Sequence, residues 1–429
     1  MESARQRAAR GAAQAASALS RMLGVGAGGA LSGRLALAID PHILERAGRQ
    51  LRSILVTGTN GKSTTTALAV AMAAGAVVTN RGANMSFGIA GALARARREA
   101  TVGVFEVDEA FVPSVAEALR PSLLVWLNLT RDQLDRALEV RRLSERIAEA
   151  ASSIELVVAN ALDPIVVLGA SRFRRQIWIR PTSTWTDDAH ACPRCGGHVS
   201  FQDGRWWCEG CGLASPDPDW WIGDDGNAHG PEGMLSLAEA PPGTFNRFNA
   251  LAAAVAIGAL ERRPVADVLR GLGRRRLEVE GRFEYWRVLE LPGTPRVMTM
   301  LAKNPAGFDA LVELLADWDG DVIAQLNAEI ADGRDTSWIW DAPWERIAPR
   351  RVIVCGRRVE DLALRLEVAG HEPWQASSLR EALRRADASK PIAFVGNYTA
   401  FWEANASLRA LGALRDTTLA ASASARAVP

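Results

Sequence analysis

The sequence predicts an α/β protein: a central domain on a parallel sheet with a phosphate loop and an inserted four-cysteine ribbon, then a smaller α/β domain. Three observations predict it. Short apolar, β-branched runs such as "RSILVTG" (52–58) alternate with helical stretches such as "STTTALAVAMAA" (63–74). "ILVTGTNGKSTTT" (54–66) places glycines and a lysine between a strand and a helix. "CPRCGGHVSFQDGRWWCEGC" (192–211) carries two Cys-x-x-Cys pairs.

The elements follow in order. The start, "MESARQRAARGAAQAASALSRMLG", is Ala- and Arg-rich and poor in acids. A transit peptide has a similar composition, but no apolar signal core is present, and the segment reads as an amphipathic first helix. Buried strands are expected at 52–58, 101–107 ("TVGVFEV"), 122–129 ("SLLVWLNL") and 155–160 ("ELVVAN"). Continuous apolar runs separated by helices imply a parallel sheet covered on both faces. A second series is expected at 296–302, 321–327, 351–356 and 391–397, with a helix over 306–318. Between the series lie the cysteine segment, a Gly/Pro/Asp-rich stretch (215–243) and a strong helix over 244–261. The implied organisation is a helical segment over 1–50, a central domain over 51–285 with the ribbon near 182–222, and a C-terminal domain over 286–429.

Composition narrows the classes. A chain of 429 residues exceeds one ordinary core. The net charge of +1 provides no global field toward nucleic acid or membrane. No apolar run reaches the roughly 18 residues of a membrane span. Cysteines at metal-ligand spacing point to a reducing cytoplasm. Lys62, Lys303 and Lys390 are the only lysines, so each invites a question.

In "GTNGKST" the glycines let backbone N–H groups approach phosphate oxygens, and the helix N-terminus adds partial positive charge. Gly58, Thr59, Asn60, Gly61, Lys62, Ser63 and Thr64 are the candidate phosphate-binding residues. Lys62 reaches toward the β- and γ-phosphates of ATP, and Ser63 or Thr64 can hold Mg2+. The usual first glycine of such loops falls on Val56, so this is a shorter variant.

Cys192, Cys195, Cys208 and Cys211 give C-x2-C-x12-C-x2-C, a spacing that closes a tetrahedral Zn2+ site on two knuckle turns. Four thiolates leave no open position, so the zinc is expected to be structural. Trp206, Trp207, Arg194 and Arg205 could face nucleic acid, but they equally suit the packing of a small domain, and no nucleic acid is expected. Cys355 ends an apolar strand and reads as an inert core thiol.

The phosphate loop resembles that of the Mur ligase family of ATP-dependent ligases. "VFEVDEA" (104–110), "LNLTRDQLDR" (127–136), "NALDP" (160–164), "GTFNRFNALAA" (243–253), "GRFE" (281–284) and "KNPAGF" (303–308) are similar to the family's later motifs, in order. Gln133 stands where the family has a histidine, and no lysine between 63 and 302 can be the carbamylated one of the amino-acid-adding ligases. With the ribbon and "ADGRDTSWIWD" (331–341), these departures resemble the MurT branch, the synthetase subunits of lipid II isoglutaminyl synthase.

That resemblance implies a Mur-ligase-like central ATPase domain. Glu106 and Ser63 would bind Mg2+, Asn246 and Asn249 would lie near the nucleotide, and Lys303 or Arg282 would meet the phosphates from the C-terminal side. It implies ATP-dependent amidation of the α-carboxylate of D-glutamate in the lipid II stem peptide through an acyl phosphate. Ammonia would come from a GatD-like glutamine amidotransferase partner, and the work would be done in the cytoplasm at the inner face of the plasma membrane. Asp335, then Asp341, would lend an acid to the partner's histidine, with Trp338 and Trp340 as interface anchors; Asp332 reads as a turn residue. Asp108 and Glu109 read as solvated loop acids that could aid the metal. The competing readings are a folylpolyglutamate-type amino-acid ligase and a nucleotide-regulated scaffold.

Overall fold

The structure is a computed structural model that describes residues 4–22, 29–80, 83–97, 99–131, 140–272 and 283–416. The chain divides into two compact units, residues 1–130, 139–240 and 245–277 in the first and 131–138, 241–244 and 278–429 in the second.

The first unit opens with α1 (Ala4–Met22), α2 (Gly29–Ile39) and α3 (Ile43–Gly48). β1 (Arg52–Thr57), β2 (Val77–Thr79), β3 (Val102–Glu106), β4 (Leu123–Trp126), β5 (Leu156–Asn160) and β6 (Arg175–Arg180) follow. α4 (Lys62–Met72), α5 (Ser86–Ala94), α6 (Val112–Leu119), α7 (Val140–Glu149) and α8 (Pro164–Ala170) alternate with them. The ribbon hairpin is β7 (Val199–Gln202) and β8 (Arg205–Cys208). β9 (Trp220–Ile222), β10 (Ala228–Gly230), β11 (Gly233–Leu235), α9 (Thr244–Glu261) and α10 (Val265–Leu269) complete the unit.

Among the described residues the main sheet runs β11-β10-β9-β6-β5-β4-β1-β3-β2, parallel from β2 to β9. β1, β4 and β5 are apolar and buried on both faces, as a covered parallel sheet requires. One core packs α4, α9 and α10 on one face, and a second packs α5, α6 and α8 on the other. β1 lies between β3 and β4, so the connection from β3 crosses over to the far side of β1. The C-terminal ends of these three strands meet at that switch point, where open α/β sheets bind ligands.

The Gly/Pro/Asp-rich stretch 215–243 adds β9, β10 and β11 to the sheet edge. Each strand has three residues, too short for a period-two pattern to stand out. Trp220 and Ile222 still bury their alternate side chains in the core.

In the second unit β12 (Phe283–Val288), β13 (Arg296–Leu301), β14 (Val322–Gln325), β15 (Val352–Cys355), β16 (Trp374–Gln375), β17 (Ile392–Gly396) and β18 (Ala413–Arg415) form a sheet in the order β16-β15-β14-β17-β13-β12-β18. α11 (Pro305–Leu315), α12 (Val359–Val368), α13 (Leu379–Arg385) and α14 (Tyr398–Ala410) alternate with its strands. β13 to β17 pair in parallel, and β12 and β18 are antiparallel additions.

α1 buries Ala9, Ala13 and Ala16 and exposes Arg5, Arg7 and Gln14. α2 packs against both α1 and α5. The crossing with α5 depends on Gly33, because a Cβ there would overlap the Phe87 carbonyl. Gly11 in α1 has nothing within 4 Å of a built Cβ. Gly33→Ala should therefore lower Tm by at least about 3 °C, whereas Gly11→Ala should be neutral or stabilising by up to about 1 kcal/mol. Scanning calorimetry of the pair checks this; equal Tm for the two variants would show that α2 is not locked at Gly33.

Candidate active site

β1 ends at Thr57, and four residues turn the chain into α4. Gly58 has φ +137° and Gly61 φ +87°, backbone that L side chains rarely adopt. A Cβ on Gly61 would also lie 2.6 Å from Asn249 Oδ1. Gly61 is the N-cap of α4, and no side chain caps that helix, so its first N–H groups face the loop. The residues after β4 brace the loop from below. Asn60 N donates to Asn128 Oδ1 at 2.9 Å, and Asn128 Nδ2 donates to Asn60 O at 3.1 Å. Thr59 Oγ1 accepts from Thr130 N at 2.9 Å.

Lys62 is only 6% exposed. Its ammonium donates to the carbonyls of Gly58 and Thr59 and pairs with Glu109 Oε1 at 3.0 Å. Burial alone would lower its pKa, but the carboxylates of Glu109 and then Glu106 outweigh that, and the net shift is upward. Glu109 was read from sequence as a solvated acid; it is buried and is the lysine's counter-ion. The spacing from Glu106 to Glu109, across a turn that Asp108 caps through Ala110 N at 3.1 Å, was the available signal.

Ser63 Oγ donates to Glu106 Oε2 at 2.8 Å. Asn80, which no motif singled out, fixes the acid's backbone. Glu106 N donates to Asn80 Oδ1 at 2.9 Å, and Asn80 Nδ2 donates to Glu106 O at 2.8 Å. A hydroxyl and a carboxylate beside an open helix N-terminus suit Mg2+, which takes few protein oxygens and completes its shell with phosphate and water. Thr64, the alternative hydroxyl, is buried within α4.

Asn246 and Asn249 are buried in α9, with Asn249 Nδ2 donating to Asn246 Oδ1 at 3.4 Å. Asn249 therefore stands against Gly61. Arg282 and Gln133 lie outside the described residues. Asp163, in "NALDP", caps α8 through Ile165 N and Val166 N and accepts from Leu129 N at 2.8 Å. Burial raises its pKa to about 6 against those three N–H donors.

Within the second unit, Lys303, Asp335 and Asp341 line one small solvent-open cleft, together with Arg131 and Trp338. Asp332 is buried at its floor. Thr399 N and Thr399 Oγ1 donate to its two oxygens at 2.7 and 2.6 Å, so it tethers the loop to α14. Asp335 is exposed; Ser337 N, at 2.8 Å, and then the Ser337 hydroxyl hold its carboxyl below the usual range. Asp341 is exposed, with Arg131 Nη2 3.9 Å away. Buried Arg365 pins the Trp segment by donating to Ile339 O and Ala342 O at 3.0 and 2.8 Å. Trp338 is half-buried and Trp340 exposed.

A family profile described as Mur ligase middle domain matches residues 56–178, and one described as MurT ligase C-terminal matches 301–401. The chain is 30% identical over 424 residues to the lipid II isoglutaminyl synthase (glutamine-hydrolyzing) subunit MurT of Streptococcus pneumoniae, covering 88% of this chain and 92% of the relative. The Staphylococcus aureus COL subunit of the same name is 31% identical over 384 residues, 79% of this chain and 82% of the relative. The chain belongs to the MurT family. Its fold is that of Mur ligases. A pseudomurein peptide ligase type C from Methanothermus fervidus gives TM-score 0.64 at 18% identity, covering 84% of this chain and 79% of that one. Thermotoga maritima MurF ligase in complex with ADP gives 0.58 at 16%, covering 89% and 84%. As a MurT-family member the chain is an ATP-dependent ligase.

The four ribbon cysteines cluster in this MurT-family chain, with sulfurs within 4.8 Å of one another. Cys192 and Cys211 stand 3.7 Å apart, Cys195 and Cys208 3.5 Å. Tetrahedral zinc with Zn–S near 2.3 Å spaces sulfurs by about 3.8 Å, so the set fits. Arg194 N, Gly197 N and Gly210 N donate to the sulfurs, and Gly196 and Gly212 take the positive φ of the knuckle turns. Trp206, 1% exposed, docks the ribbon against Leu162 and Val167, and its indole N–H donates to Ala161 O at 3.1 Å. Trp206 is thus taken up by packing, while Trp207, Arg194 and Arg205 are outward.

Two outcomes follow from these geometries. Zinc should be present at about one atom per chain, and Cys208→Ser should lose it together with several kcal/mol of stability; elemental analysis finding no metal in wild type, with disulfides instead, would refute the site. Glu109→Gln strands a buried ammonium and should cost roughly 3 kcal/mol. Added Mg-ATP should restore part of that, because triphosphate supplies the missing negative charge. Thermal shifts with and without nucleotide measure it; a variant that melts and responds like wild type would show that the ion pair contributes nothing.

Proposed function

We propose that the chain uses ATP to phosphorylate the α-carboxylate of D-glutamate in the lipid II stem peptide, and that ammonia then displaces the phosphate to give D-isoglutamine. The observation that carries the reading is the pairing of Lys62 and of Ser63–Glu106 at one uncapped helix N-terminus in a member of the MurT family. A carboxylate oxygen attacks the γ-phosphorus and ADP leaves. Ammonia nitrogen attacks the acyl carbon, the C–O bond to phosphate breaks, and a proton is lost as the amide forms. Water must stay out while the acyl phosphate exists.

Lys62 moves from Glu109 to the phosphates in this reading, neutralising charge as it develops. Ser63 and Glu106 would hold Mg2+, which would supply Lewis acidity. Asn246 and Asn249 border the nucleotide, and Lys303 is the candidate to meet the phosphate from the C-terminal domain.

Ammonia comes from a GatD-like glutaminase subunit. Four of the chain's five cysteines form the ribbon cluster, and Cys355 is buried, its thiol pushed up to about 12 by burial, which disables it as a nucleophile. The exposed carboxylates of Asp335 and Asp341 are the candidates to orient the partner's histidine; Asp332 has both oxygens engaged. Trp338 and Trp340 are the candidate anchors for that partner. The substrate's lipid anchor places the work at the inner face of the membrane, and no helix among the described residues is long and apolar enough to cross it.

Asp335→Asn should depress glutamine-dependent amidation by the reconstituted pair roughly 100-fold or more and spare ammonia-dependent amidation. Equal loss with both nitrogen sources would place Asp335 in the synthetase site or the fold.

A further inference from the structure

The chain's net charge of +1 conceals an asymmetry. Residues 1–52 hold eight arginines against three acids, a net +5, which leaves −4 on the rest. Two of those acids are engaged, Asp40 with Arg46, and Glu45 with His42 at 3.0 Å. Arg5 and Arg49 lie close enough to Arg46 to lower its pKa, after the larger effect of burial, so these cations share one neighbourhood.

α2 adds an apolar component. Its Ser32, Gly33 and Ala36 side is buried toward α1 and α5, while Leu31, Arg34, Leu35 and Ala38 form an exposed stripe at helical spacing. Leu31 is 50% exposed and Leu35 39%. Arg34 lies 5.3 Å over the Phe87 ring at the start of α5. Just before α5, Asn84 O accepts from Asp108 N at 2.8 Å, two residues from Glu106. The stripe therefore adjoins the catalytic end of the sheet.

Exposed leucines beside an arginine, in a segment whose described acids Asp40 and Glu45 are both engaged, match the chemistry of an anionic bilayer surface, where cations meet headgroups and short apolar side chains enter the interface. An acidic protein would satisfy the arginines but leave the leucines in water. We infer that the exposed α2 stripe, Leu31 and Leu35 with Arg34, together with the positive charge carried by residues 1–52, docks the chain on an anionic membrane. This deepens the proposed function, since a lipid-anchored substrate is presented at such a surface. The docking is reversible and salt-sensitive, and it brings the site to the stem peptide.

The test is cosedimentation of the full chain with vesicles of equal parts phosphatidylglycerol and phosphatidylcholine, or of phosphatidylcholine alone. Wild type should pellet with the anionic vesicles only and be released by high salt. Arg34→Gln/Arg49→Gln and Leu31→Ser/Leu35→Ser should each weaken binding by about tenfold or more, with unchanged Tm and unchanged ammonia-dependent amidation of a soluble short-chain lipid II analogue. No pelleting by wild type, equal pelleting on both vesicles, or full retention by both variants overturns the inference; retention on an immobilised acidic polypeptide without vesicle binding assigns the patch to a protein instead, and also overturns it. Failure of wild type to amidate the soluble analogue would strike the proposed reaction and leave the vesicle result standing.

Discussion

A lysine ammonium carried into a nearly dry loop must find negative charge or give up its own. The loop after β1 meets that condition before any nucleotide arrives. Backbone carbonyls of Gly58 and Thr59 accept hydrogen bonds from the ammonium, and Glu109 balances the charge. Glu106, bound to Ser63, stands behind it. The same arrangement limits what can bind, because a ligand that removes Lys62 from Glu109 must offer more negative charge than one carboxylate. A triphosphate does so, and the freed carboxylate is then held apart from the phosphates only if a cation lies between them. The glycines at 58 and 61 and the asparagine braces exist around this one charge.

Both units place their chemistry by the same topological rule. In each sheet a strand added out of sequence order creates a switch point, and the loops at the carboxyl ends of the flanking strands converge there. In the first unit these are the phosphate loop after β1, Glu106 at the end of β3 and Asn128 after β4. In the second they are Lys303 after β13, the Asp335 loop after β14 and Asn397 after β17. Asn327 and Asn397 tie the last two together, Asn397 Nδ2 donating to Asn327 O at 2.7 Å. Asp332 then anchors the loop to α14, so Asp335 and Asp341 project from a fixed base.

The central strands were legible because burial on both faces writes unbroken apolar runs, and the phosphate loop because its backbone demands glycine at two positions. The four cysteines were legible for the same kind of reason, since tetrahedral sulfur coordination tolerates few spacings. The residues that the sequence hid act through partners far along the chain. Glu109 looks like any loop acid until the fold sets it against Lys62, 47 positions away. Asn80 meets Glu106 only because β2 pairs with β3 and brings the two together. β9, β10 and β11 are held by an existing sheet edge and not by their own pattern, so 215–243 carried composition but no period. The role of Asp332 was partly visible, since Gly333 with φ +77° needs a turn, yet its bond to Thr399 is a tertiary fact.

A closed four-thiolate site cannot take part in chemistry, yet its position in the first unit is not incidental. Trp206 fixes the ribbon on Ala161, and Leu162 and Val167 complete the contact. Asp163, in the same turn, grips Leu129 through its backbone N–H. Leu129 lies between Asn128 and Thr130, the two residues that brace Asn60 and Thr59. Hydrogen bonds and a few peptide units thus link the ribbon's anchor to the floor of the phosphate loop. A ribbon with almost no core of its own depends on metal to stay folded. Without it the Ala161–Asp163 turn would lose its cover, and the buried Asp163, already reluctant to ionise, would meet water.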